Sequence, residues 1–129
     1  CSKHKKVFHS INSNDINTWL KKQYPCLTAK VIRTCNASML FQKCLDSETM
    51  QCPQKRYRDA VIQVAQLCNH VKNINDKQIY STETSKINYL DPRITFAYSK
   101  KYNININQFF SKSQQQKHNW AKSTINFQF

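Results

Sequence analysis

This sequence predicts an all-α fold, a compact bundle of about five helices. Three observations carry that expectation. Apolar residues recur at helical spacing in two central segments. Helix-start signals stand ahead of the first helix and both C-terminal ones. No stretch alternates apolar and polar residues convincingly enough to mark a strand.

The elements follow in chain order. Residues 1–10, "CSKHKKVFHS", are basic and irregular. Asn14 or Ser13 is expected to cap a helix over 15–23, which Pro25 ends. A second helix fits 28–46, with Leu27, Val31, Cys35 and Met39 recurring every four residues as an apolar stripe. Arg33 lies off that stripe. Residues 47–54 form a polar connection containing Pro53. The third helix, 55–69, is the clearest: Tyr57, Val61, Val64 and Cys68 sit at i, i+4, i+7 and i+11, a core face. His70 follows at its end, on the side of Gln63 and Gln66 rather than on the core side. Residues 71–84 are polar and read as a short linker. Asp91 is then a good N-cap, with Pro92 at the first helical position. Ile94, Ala97 and Tyr98 supply the inner face of that helix, and Lys100 and Lys101 suit its C-terminal end. A capping-box pair, Ser113 with Gln116, opens the last helix ahead of Trp120. The chain thus divides into a helical part over 1–70, a linker over 71–84 and a C-terminal part over 85–129.

Charge is the strongest compositional signal. Among 129 residues, 20 Lys and Arg stand against 7 Asp and Glu, a formal charge of +13. Such a balance is the footprint of a protein that neutralises phosphates, with affinity that falls as salt rises. Acidic partners or a membrane surface are the competing explanations of charge alone. Glycine is absent, where average usage would supply roughly nine. Glycine-rich phosphate loops are therefore excluded, and phosphate contacts must come from side chains and helix N-termini. None of the six cysteines forms a C-x-x-C pair, so the usual zinc spacings are missing and no metal site or cofactor is expected. Free thiols in a reducing compartment fit that pattern. No long apolar run supports a membrane span. The first residue, Cys1 rather than Met, is expected of a piece of a longer protein.

Three residues stand out together: Arg33 off the core stripe, His70 at a helix end, and Tyr89 two residues before a helix N-cap. Each alone has an ordinary explanation, as a solvated arginine, a histidine suited to a helix dipole, and a packed aromatic. As a set they suit phosphodiester transesterification. A phenol is a weak nucleophile until activated. The attacked phosphate builds charge that an arginine fork can hold, and a histidine can donate to a non-bridging oxygen.

The segment "SKINYLDPRITFAYSKKY", 85–102, closely resembles the active-site segment of eukaryotic type IB DNA topoisomerases. "LTAKVIRTCNAS", 27–38, is similar to that family's arginine-bearing helix, and "AVIQVAQLCNH", 60–70, to its histidine-bearing helix, in the same order. "VFHSINSNDINTWLKK" and "KSQQQKHNWA" resemble flanking segments, so the likeness covers nearly the whole chain. The resemblance implies a tyrosine-recombinase-like catalytic fold, double-stranded DNA as partner and a nuclear location. It implies that Tyr89 attacks DNA and becomes linked to a 3′ phosphate, that Arg33 clamps the scissile phosphate, and that His70 donates to a non-bridging oxygen. Lys86 and Asn88 would lie close to the DNA, the asparagine at a place that matters for camptothecin-type poisons. Strand cutting, rotation and religation then need neither ATP nor an obligatory metal.

This sequence departs from the family pattern in three places. The family's earlier arginine and its general-acid lysine lie N-terminal to anything resembled here, so a missing catalytic region is implied, as a same-chain segment or a separate subunit. That lysine belongs to a β-hairpin, and the sequence shows no hairpin. Only 71–88 separate the histidine from the tyrosine, where larger nuclear enzymes carry a long coiled-coil linker. Glu83 stands where the family often has glycine. Two other classes compete with this reading. A tyrosine recombinase would usually carry a second arginine just after the histidine, where this chain reads "HVK". A non-catalytic basic DNA-binding module would need only the charge.

Overall fold

The computed structural model describes residues 10–47, 50–75 and 77–129. The basic segment 1–10 lies outside them except for Ser10, as do two residues of the polar connection after the second helix. The chain separates into two units, 1–33 and 34–129.

In the first unit, α1 spans Ser13–Gln23. Its cap is Asn12, rather than Ser13 or Asn14. The Asn12 side chain accepts from the N–H groups of Asn14 and Asp15 at 2.8 and 3.1 Å, and Asp15 accepts from the Asn12 N–H at 2.9 Å. Asp15 at the third helical position decides the choice, because only Asn12 can form this reciprocal pair with it. Lys21 and Lys22 close the last turn, where cations meet the helix dipole favourably. The start of α2, which spans Ala29–Asp46, has its free N–H groups met locally. Asn17 accepts from the Ala29 N–H at 3.0 Å and Thr28 from the Val31 N–H at 3.2 Å.

The second unit holds the rest of α2, then α3 (Pro53–Leu67), a hairpin of β1 (Val71–Ile74) and β2 (Lys77–Tyr80), α4 (Thr82–Asn88), α5 (Pro92–Lys101) and α6 (Lys112–Lys117). Short 3-10 turns occupy Ile106–Gln108 and Asn119–Ala121. The all-α reading stands, with six α-helices and one two-stranded hairpin among the described residues.

The face of α2 differs from the expected stripe. Ala37, Ser38, Phe41 and Leu45 are buried, whereas Cys35 is exposed and Met39 is 56% exposed. At 3.6 residues per turn Cys35 stands about 120° and Met39 about 200° around the helix from Phe41. Cys35 and Met39 therefore lie on the side of α2 away from the buried face. On α3 the expected face holds: Tyr57, Val61, Val64 and Cys68 are all buried.

α5 is the axis of this unit. Every residue from Pro92 to Ser99 except Arg93 is buried, and Arg93, Lys100 and Lys101 mark the one side of the helix that reaches solvent. Ile94 and Tyr98 join the larger core with Phe41, Leu45, Tyr57 and Val64, while Phe96 packs in a smaller cluster with Phe110 and Ala121. Tyr57 stacks on Phe109 at 4.0 Å and meets Phe41 edge-on at 5.3 Å. Its hydroxyl pairs with Thr95 of α5 at 2.9 Å, and burial pushes the phenol far above its ordinary range. The last helix is capped by Ser111 with Gln114, not by Ser113 with Gln116.

Four described non-glycine residues adopt positive φ, and all are asparagines: Asn69, Asn75, Asn103 and Asn126. Asparagine tolerates the left-handed region better than other residues with a Cβ. Asn69 ends α3: the His70 N–H bonds the Ala65 carbonyl at 2.9 Å and the Asn69 N–H bonds Gln66 at 3.0 Å. Asn103 repeats this after α5, with the Ile104 N–H bonding Ser99 at 2.8 Å. Both are Schellman closures with asparagine in the usual glycine place.

Two outcomes follow. Asn69→Val should cost about 1–2 kcal/mol, because a β-branched residue resists the left-handed region, whereas Asn69→Gly should change stability by much less. Urea unfolding midpoints check this. His118 is buried and its Nε2 has no partner among the described residues. Burial first, then the Lys117 charge, push its imidazole below the ordinary 6.5, against a smaller opposing pull from Asp91. A depressed folded pKa gives stability present above 6.5 and lost as pH falls. Stability should therefore decline as pH falls below 6.5, and His118→Gln should flatten that slope.

Candidate active site

The stretch "SKINYLDPR" folds as the end of α4, a corner, and the start of α5. The corner is built into the sequence. Pro92 disfavours a helical conformation at Asp91, which takes φ −69 and ψ 117. The Asp91 carboxylate then accepts from the Arg93 N–H at 2.9 Å and pairs with the Arg93 guanidinium at 2.6 Å. Tyr89 is the residue that closes α4, with its N–H on the Ser85 carbonyl at 3.0 Å. It is half-buried against the larger core.

His70 reaches Tyr89 through the hairpin. The Schellman closure at Asn69 turns the chain out of α3 and places His70 at the hairpin's base. β1 and β2 pair antiparallel, Val71 opposite Tyr80 through Ile74 opposite Lys77. The ladder closes with the Ser81 N–H on the His70 carbonyl at 2.8 Å. α4 therefore starts beside the residue that ended α3, and its next turn lies along the imidazole. The His70 ring centroid is 5.0 Å from that of Tyr89, at 41°. His70 Nδ1 lies 3.0 Å from the hydroxyl of Ser85, which is 0% exposed.

The hairpin lies within 71–84, the stretch read as a short linker, and differs from the reading that no stretch marks a strand. Its strands are short and largely exposed, with Ile74 and Ile79 both about half exposed, so no buried face imposes an alternating pattern. Asn75 supplies the turn with φ 50. The hairpin follows His70, so it is a different element from the one the resemblance places ahead of 27–38.

Of the expected site residues, the structure brings His70 and Tyr89 together. Arg33 is the last residue of the first unit, on the exposed side of α2. Asn88, the last residue of α4, is exposed. Lys86 points inward: its side chain is 13% exposed, its ammonium pairs with Glu83 and donates to the Phe109 carbonyl at 3.2 Å. Glu83 also accepts from Gln114 at 2.8 Å. Burial alone would raise the Glu83 carboxyl, but the hydrogen bonds from Lys86 and Gln114 and the Lys86 charge together hold it below the usual range.

Two serines escaped the sequence reading. Ser85 is the serine of the S-K-x-x-Y stretch. Ser38, 0% exposed on α2, accepts from the Asp91 N–H at 3.0 Å and donates to the Tyr89 carbonyl at 3.4 Å. It lies beside Ala37 on the face of Phe41 and Leu45, which was the available signal. Among the described residues no three His, Cys, Asp or Glu side chains assemble to hold a metal ion, and no helix is long and apolar enough to cross a membrane.

Residues 61–129 match the model of the C-terminal topoisomerase domain. DNA topoisomerase 1 of Drosophila melanogaster is 30% identical, across 92% of this chain and 19% of its own length. DNA topoisomerase 1 alpha of Arabidopsis thaliana is 27% identical, across 93% and 22%. A mitochondrial DNA topoisomerase I of Rattus norvegicus is 31% identical, across 59% and 13%. The chain thus spans about a fifth of the first two relatives. The Drosophila alignment runs over 184 positions, more than the chain's 129 residues, so that relative carries residues with no counterpart here.

Ser38→Ala should lower stability by about 1–3 kcal/mol, the cost of leaving a part-buried N–H without its acceptor. The urea midpoint measures this, and an unchanged midpoint would mean that water replaces the hydroxyl.

Proposed function

The chain belongs to the type IB DNA topoisomerase family, and on that premise we propose that it is the tyrosine-bearing part of a catalytic region that cuts and reseals one DNA strand. The observation that carries this reading is the Tyr89 ring set beside His70, 5.0 Å away, at the corner of "SKINYLDPR".

In this reading the Tyr89 phenol gives its proton to water as its oxygen bonds to phosphorus, and the 5′ oxygen of the next nucleotide leaves. The strand is then held as a 3′-phosphotyrosine. Religation reverses the step: the 5′ hydroxyl attacks phosphorus and the phenol leaves. One phosphodiester is exchanged for another, so supercoils relax without ATP. Arg33 clamps non-bridging oxygens and His70 donates to one of them, each worth about 3–4 kcal/mol of transition-state stabilisation by analogy with an oxyanion-hole donor. The proton for the leaving 5′ oxygen comes from a lysine in the region N-terminal to 27–38, which also brings a second arginine, on the same polypeptide or a partner subunit. Asn88 and Lys86 flank the tyrosine near the strand, and Lys86 reaches a phosphate only by leaving Glu83. The charge of +13 supports DNA as the partner. A nuclear location belongs to the same reading, although three matched relatives are mitochondrial.

The test is covalent adduct formation on a nicked suicide DNA substrate, with the N-terminal catalytic region supplied. The expected result is an adduct that resists denaturation and is abolished by Tyr89→Phe. An adduct that survives this substitution would remove Tyr89 as nucleophile. Salt-dependent DNA binding with no adduct in any mixture would leave only a basic binding module.

A further inference from the structure

Ser85 sits at a decision point for one proton. Its side chain is fully buried inside α4, and its hydroxyl faces two acceptors, His70 Nδ1 at 3.0 Å and the Ser81 carbonyl at 3.4 Å. A hydroxyl has one proton to give. A serine within a helix commonly gives it back to the carbonyl four residues earlier. Here that contact is at the outer limit for O–H···O, whose usual length is about 2.7–2.8 Å. The imidazole nitrogen is the nearer acceptor.

We propose that Ser85 is a positioning residue: it donates to His70 Nδ1 and so keeps the ring proton of the neutral imidazole on Nε2. The alternative arrangement has a definite consequence. If Ser85 gave its proton to Ser81, Nδ1 would carry the ring proton and donate to Ser85, and Nε2 of the neutral ring would be an acceptor only. With Ser85 donating, Nε2–H is a hydrogen-bond donor without the ring being charged. His70 can then donate to a non-bridging phosphate oxygen above its own pKa as well as below it. The hairpin makes this possible, because closure of Ser81 onto the His70 carbonyl sets the depth at which Ser85 meets the ring. The catalytic part of this inference rests on the reading of His70 as a phosphate-side donor; the tautomer part does not.

Two measurements separate these parts. Long-range proton–nitrogen correlation spectra of the 15N-labelled 129-residue chain, at a pH where the imidazole is neutral, report which ring nitrogen is bare. His70→Gln assigns the signals. The expected result is a bare Nδ1 and a protonated Nε2, with Ser85→Ala giving a mixture or a shift to Nδ1–H. A protonated Nδ1 in the unaltered chain overturns the proposal whatever the enzyme does. The second measurement is the rate of adduct formation on the suicide substrate with the N-terminal region supplied. Ser85→Ala should slow it roughly tenfold, the scale on which losing a group that orients an active-site histidine is felt. Ser85→Thr, which keeps the hydroxyl, should restore most of the rate. Ser85→Ala should add nothing in a His70→Gln background. Equal slowing in both backgrounds would mean that Ser85 acts through packing, and the proposal falls. If the unaltered protein forms no adduct at all, the proposed function fails, and the tautomer assignment stands or falls on the spectra.

Discussion

The placement of Tyr89 depends on one buried hydroxyl. Ser38 holds the chain on both sides of Leu90, through the carbonyl of Tyr89 and the N–H of Asp91. Leu90 itself is buried in the core. Three consecutive residues are thereby fixed to α2, and they are the residues that turn α4 into α5. Since α5 is buried on every side but that of Arg93, Lys100 and Lys101, its direction is set by packing, and the corner has little room to move. Tyr89, whose own ring is only half-buried, gains a fixed backbone from a contact that never touches its side chain. Positioning of this kind matters for reactivity, because small misplacements of reacting groups cost rate steeply.

Much of this was legible in the sequence. The buried face of α3 follows directly from the spacing of Tyr57, Val61, Val64 and Cys68. The Asp91–Pro92 cap of α5 follows from local chemistry that tertiary packing has no reason to override. The stripe on α2 failed because it marks one apolar side of the helix while the core takes another, that of Ala37, Phe41 and Leu45. The hairpin failed for a different reason. Its strands are held by backbone hydrogen bonds and a turn asparagine, and neither leaves a trace in hydrophobic periodicity. That omission concealed the site's assembly, because the hairpin brings residue 81 back to residue 70. Ser85 and Ser38 were hidden by residue type: a serine inside a helix looks like surface until its burial is known.

The Glu83–Lys86–Gln114 contact ties two helices together beside the tyrosine. The Glu83 carboxylate holds Lys86 inward and links α4 to α6. The pair is only partly shielded from water, so its contribution to stability is small. Its larger effect is electrostatic, since it offsets a cation beside the tyrosine within a chain that is otherwise strongly basic.

The four left-handed asparagines carry a thermodynamic consequence that the folded structure alone does not display. A chain without glycine has a more restricted denatured ensemble, since every residue bears a Cβ. Replacing a glycine by a residue with a side chain lowers the entropy lost on folding by about 0.4–1 kcal/mol where the native backbone accepts it. Against this stands the strain of the left-handed region, about 1–2 kcal/mol for a typical residue and less for asparagine, whose short side chain bonds locally. The two nearly offset. The protein can therefore dispense with its most flexible residue type and still close its helices, because what each closure costs in the native state is largely returned by an unfolded chain that has less freedom to lose.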